Sequence, residues 1–150
     1  MNAASETLSG NADEEKIRDL MTEWSHALCA KDLNRLTAHY APEIVFFDVV
    51  PPEARRGVAS YREAWEQCFP YLPPTIGSEM RELHVTVSGD LAFAHAQHRI
   101  IDAATHAAAT CGWVRVTVCF QKQDGAWKVV HEHVSVPYDP QSGQAVLTRE

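Results

Sequence analysis

The spacing of apolar residues changes once along this chain, and that change sets the fold class. Up to Phe69, apart from the strand-like run Ile44–Val50, the apolar positions recur at helical spacing; from Glu79 onward they alternate. In Asp13–Lys31, residues Ile17, Leu20, Met21, Trp24, Ala27 and Leu28 fall on one helical face. Asn11 or Asp13 caps this helix, and Glu14 and Glu15 favour its positive end. A short second helix is predicted over Asp32–Tyr40, with Leu33, Leu36 and Tyr40 inward and Pro42 as its stop. Ile44–Val50 reads as a strand ended by Pro51-Pro52, and Pro52–Gly57 as a loop. Val58–Phe69 is a third helix that Pro70, Pro73 and Pro74 forbid from continuing.

The alternating half gives strands over Glu79–Val87, Leu91–Asp102, Ala107–Gln123 and Trp127–Val136. Ser88-Gly89-Asp90 marks a turn and Asp124-Gly125 a hairpin. Helices followed by an antiparallel meander mean an α+β fold, with the helices on one face of the sheet. Alternation assigns Ala92, Ala94, Ala96, Val114, Val116, Val118, Phe120, Val130, Val134 and Val136 to that face. The opposite face receives Phe93, His95, Gln97, Arg99, Trp113, Arg115, Thr117, Trp127, Val129, His131, His133 and Ser135. A face with two Trp calls for cover. A homodimer is therefore expected there, with His95, Trp113, Arg115, His131 and His133 at its interface. A β-bulge would flip this assignment locally.

A length of 150 residues suits a single domain over 13–150, behind a polar tail, 1–12, expected to be disordered. Lys plus Arg number 13 against 20 Asp plus Glu, a net charge of −7, which argues against nucleic acid as a partner. No apolar run reaches the ~18 residues of a membrane span, and the amino terminus lacks the pattern of an export signal. Cys29, Cys68, Cys111 and Cys119 show no CxxC spacing, so free thiols and a cytoplasmic location are expected.

Several segments, in this order, carry a family resemblance. They are Ala30-Lys31-Asp32-Leu33, the run His39-Tyr40-Ala41-Pro42-Glu43-Ile44-Val45-Phe46-Phe47-Asp48, Gly57 before the third helix, and Asp124-Gly125-Ala126-Trp127 leading into His131-Glu132-His133. Roughly from Asp13 to Val136 the chain resembles the SnoaL-like and ketosteroid isomerase-like family of the nuclear transport factor two-like superfamily. The resemblance implies a cone of three helices packed on a curved, mostly antiparallel β-sheet, a cystatin-like roll with a cavity inside. It places the family's general-base Asp on Asp48 and its oxyanion-donor Tyr on Trp24. The second donor, a protonated Asp, has no counterpart, since Trp113–Phe120 contains no carboxylate. The last segment is also similar to the association domain of calcium/calmodulin-dependent protein kinase two. The three cone arginines of that domain fall on His98, Val118 and Val134.

Asp48 follows Phe46-Phe47, with no Lys or Arg within four residues. Desolvation without a cation raises a carboxylate pKa and suits a general base; the competing role is to accept backbone N–H groups in the proline loop. The remaining pocket candidates are Trp24, Tyr40, Trp65, His98 and Glu132. Glu132, flanked by Val130 and Val134, needs a buried partner, for which His98 is one candidate. His131 and His133, with His95, have the spacing of an imidazole site, and Gly125 through His133 matches the opening of a cupin metal motif. Pro137 and Tyr138 stand where that motif needs a carboxylate, so neither metal nor cofactor is expected. Two functions remain open. One is a cofactor-independent isomerase or cyclase acting on a small, mostly apolar carbonyl compound, with Asp48 moving the proton. The other is a non-catalytic ligand-binding or assembly module using the same cavity.

Overall fold

The computed structural model describes residues 3–150. The helices are α1 (Ala3–Cys29), α2 (Leu33–Thr37) and α3 (Val58–Cys68), the last running into a 3-10 turn at Phe69–Tyr71. The strands are β1 (Tyr40–Phe47), β2 (Arg55–Arg56), β3 (Ile76–Ser88), β4 (Leu91–Asp102), β5 (Val114–Gln123) and β6 (Ala126–Ser135). They form one six-stranded sheet in the order β2-β1-β6-β5-β4-β3. Every pairing is antiparallel except that of β1 with β6, the first and last strands, which lie side by side in parallel.

The helical stripe of α1 packs as its spacing requires. Ile17, Leu20 and Met21 are buried against Ala92, Ala94, Ala96, Val116, Val118 and Phe120 of the sheet. A second cluster, Ala27, Leu28, Leu36, Leu72, Ile76 and Ile100, closes the other end beneath α2. Asp32 caps α2, its side chain accepting the Arg35 N–H at 3.1 Å.

Several boundaries differ from the sequence expectation. Helix α1 begins at Ala3, inside the stretch expected as a tail, and Met1 and Asn2 lie outside the described residues. Helix α2 ends at Thr37, so Tyr40 opens β1 instead of closing a helix. Arg55–Arg56, read as loop, pairs with Val45 and Phe46 as an edge strand; two arginines carry no apolar pattern to announce it. Strand β5 starts at Val114, and what precedes it is a loop tied back through Ala108 to Ile101.

One irregularity matters for the site. Phe120 faces Val129 while Cys119 faces His131, so Val130 is an extra residue on β6. This bulge moves Trp127 and Val129 to the helix side, where each is 4% exposed. Their expected placement on the outer face is thereby corrected, and Val130 drops out of the inward set. The Trp127 indole N–H donates to Asp13 Oδ1 at 3.0 Å, joining the sheet to α1. Beyond the bulge the alternation resumes with Glu132 inward and His131 and His133 outward.

Candidate functional site

Between α1, α3 and the sheet lies a cavity of about 460 Å³. Its wall is mainly apolar, including Leu20, Met21, Phe46, Val116, Val118 and Phe120. Trp24 and Trp65 also line it, their rings edge to face at 5.9 Å. All the expected pocket residues, Trp24, Tyr40, Trp65, His98 and Glu132, border this space, as does Asp48.

Glu132 is the carboxylate of the interior, 6% exposed. Alternation along β6 turns it inward, and the parallel pairing of Phe46 with Glu132 sets it beside β1. Tyr40, at the start of β1, donates its hydroxyl proton to Glu132 Oε2 at 3.1 Å. Tyr40 and Tyr61 hydroxyls lie 2.9 Å apart, with their rings stacked at 4.3 Å. The Trp24 indole N–H donates to the Tyr61 hydroxyl at 3.1 Å. Tyr40 has one hydroxyl proton and gives it to Glu132, so Tyr61 donates to Tyr40 while accepting from Trp24. Burial pushes Glu132 up to about 7, the tyrosine hydrogen bonds oppose that, and the nearby charge of Asp48 adds to it. Burial, then the charge of Glu132, holds both tyrosines well above their ordinary value.

His98, on β4, forms a second polar group and does not pair with Glu132. Its Nε2 lies 2.7 Å from Ser78 Oγ on β3, and that hydroxyl donates to Ser25 Oγ on α1 at 3.1 Å. The His98 ring meets Trp24 edge to face at 5.4 Å. Burial lowers the His98 pKa to about 4, so the ring is neutral. Asp48 stands at the end of β1, partly exposed, beside the proline loop. Its Oδ1 accepts the backbone N–H of Val49 at 2.7 Å, as the competing structural role requires, while the residue still borders the cavity. Tyr61, Ser78 and Ser25 are not among the residues the sequence pattern singles out. Tyr61 was detectable as an inward polar tip at helical spacing; the serines had no signal, because their role depends on strand register.

The outer sheet face is partly covered by the chain itself. Two guanidinium groups lie over the Trp113 ring, Arg81 at 3.9 Å and Arg99 at 4.8 Å from its centroid, and its indole N–H donates to the Glu150 carbonyl at 3.2 Å. His131 is half-buried, its Nδ1–H donating to the Val45 carbonyl at 2.7 Å. His95, Arg115 and His133 are exposed. Among the described residues no group of three or more metal-ligating side chains converges. No described helix is long and apolar enough to cross a membrane.

A family model for the SnoaL-like domain matches residues 17–139. A solved NTF2-like protein of unknown function from Pseudomonas putida is 32% identical, superposes with a TM-score of 0.85, and aligns over 93% of this chain and 97% of its own. An NTF2-like protein with a cystatin-like fold from Novosphingobium aromaticivorans shares the fold at 15% identity and a TM-score of 0.78, over 93% of this chain and 92% of its own. A Xanthomonas campestris protein bearing the name of a calcium/calmodulin-dependent protein kinase II association domain does so at 20% identity and a TM-score of 0.64, over 80% of this chain and 84% of its own. No curated protein matches. With cone, cavity and family model in agreement, this chain belongs to the SnoaL-like domain family of the nuclear transport factor two-like superfamily.

Proposed function

We propose that this domain binds a small, mostly apolar carbonyl compound in its cavity and moves a proton on it, as an isomerase or cyclase does without a cofactor. The observation that carries this reading is an apolar chamber with a buried carboxyl group in its wall, Glu132, hydrogen-bonded by Tyr40. Such a carboxyl is neutral for a large fraction of the time near neutrality and then donates a hydrogen bond to a carbonyl oxygen. The hydroxyls of Tyr40 and Tyr61 are already committed, so Glu132 is the donor available at that end. Asp48, on the same side of β1 as Phe46, is the base that takes the proton from the carbon beside the carbonyl.

A ketone with exchangeable protons, incubated with the protein in heavy water, tests this by deuterium incorporation. Wild type is expected to accelerate exchange, and Asp48→Asn to abolish the acceleration while keeping ligand binding. Binding without any acceleration in wild type would favour the non-catalytic ligand-binding module, for which the Val49 N–H on Asp48 speaks.

We further propose that two copies pair through the outer sheet face. Phe93 is 43% exposed there, beside His95, Arg115 and His133. The contribution expected of Trp113 is smaller than its size suggests, since Arg81 and Arg99 already cover its ring.

A further inference from the structure

The polar atoms of the cavity differ in what they ask of a ligand, and His98 settles the second half of the ligand's chemistry. The Ser78 hydroxyl donates its one proton to Ser25 Oγ. It therefore has only a lone pair to offer His98 Nε2, 2.7 Å away, and the hydrogen between them belongs to the imidazole. A neutral imidazole with Nε2–H carries a bare lone pair on Nδ1. That atom makes none of the described hydrogen bonds, and no described buried side-chain nitrogen or oxygen lacks a partner, so Nδ1 is open to the cavity that His98 borders. Ser25 on α1 and Ser78 on β3 hold this orientation from two elements. Among the described residues no charged side chain hydrogen-bonds the ring, and Trp24 meets it edge to face.

We infer that the ligand carries a hydroxyl group that donates to His98 Nδ1, in addition to its carbonyl: the substrate class is a hydroxylated, otherwise apolar carbonyl compound. This rests on the cavity being the ligand site and adds to it a specificity residue, His98, and a positioning residue, Ser78. A carbonyl or ether oxygen at the same place sets lone pair against lone pair. Burial keeps the ring neutral, so it has no charge with which to hold an anion.

Acetylnaphthalene, its ring-hydroxylated form and the methyl ether of that form separate the possibilities. Their dissociation constants are measured by calorimetry on the full chain, as wild type and as Ser78→Ala. The His98 tautomer is read from nitrogen-15 NMR of both proteins. Wild type is expected to show the Nε2–H tautomer and to bind the hydroxylated compound about tenfold or more tightly than its methyl ether. In Ser78→Ala the Nε2–H tautomer is no longer enforced, and the preference is expected to fall while acetylnaphthalene still binds. An Nδ1–H tautomer in wild type overturns the inference whatever binds. Equal binding of all three compounds overturns it while leaving the cavity reading intact. Binding of none of them overturns the cavity reading, and the inference with it.

Discussion

Replacing Glu132 by Gln is expected to change how the stability of the fold depends on pH. Glu132 has an ordinary value of 4.5 in the unfolded chain and is raised to about 7 by burial in the fold. Between those values the folded state holds a proton that the unfolded state has released. Stability from this group is therefore complete at low pH, falls as pH rises above 4.5, and levels off above about 7. At about 1.36 kcal/mol per pH unit, the gap corresponds to about 3 kcal/mol. His98 works in the opposite sense. It is lowered from 6.5 to about 4, so its contribution is complete above 6.5 and is lost as pH falls towards 4, again by about 3 kcal/mol.

The two slopes oppose each other over the shared window, and from these two groups the wild type is nearly flat there. Glu132→Gln keeps an acceptor for Tyr40 and removes only the acidic slope. Urea unfolding followed by circular dichroism, from about pH 4.5 to about pH 7.5, is the assay. The stability of the variant relative to wild type is expected to rise by about 3 kcal/mol across that range. A constant difference would refute the reasoning, because it would mean that Glu132 ionises alike in both states.

Tyr40→Phe removes the hydroxyl that donates to Glu132 and accepts from Tyr61; a loss of about 1–3 kcal/mol in unfolding free energy is expected, along with a further rise in the Glu132 pKa by carbon-13 NMR. Gly112→Ala combines a φ of +74° with a Cβ that would meet the Thr148 carbonyl, so the segment after Val146 should detach. Faster hydrogen exchange at the Trp113 amide, which donates to Thr148 O at 2.8 Å, reads this directly. Light scattering should show a dimer that Arg115→Glu weakens; a wild-type monomer at micromolar concentration would remove the pairing proposed for the outer face.

The helix stripe, the meander and the family were legible because each is written in spacing: Ile17 to Leu28 at helical period, Ala92 to Ala96 in alternation. The cavity candidates were legible for the same reason, as polar residues interrupting apolar faces. What failed to show was whatever depends on a local break in the period. The extra residue Val130 reverses Trp127 and Val129, and no residue type at that position marks a bulge. His98 was one candidate partner for Glu132, but register sets Phe46 beside Glu132 and brings Tyr40 within reach, whereas His98 lies on β4, across β5, and finds Ser78 on β3. Trp113 looked like an uncovered aromatic because its cover, Arg81, Arg99 and the chain end, comes from distant sequence.

A crystal structure of the protein soaked with hydroxylated acetylnaphthalene tests the central claim most directly. The account predicts the ring system between Trp24, Trp65 and the β5 valines, with the carbonyl oxygen within hydrogen-bond reach of Glu132 and the acetyl methyl turned towards Asp48. A ligand bound only on the outer sheet face, or one inside the cone with its carbonyl directed away from Glu132, would contradict it.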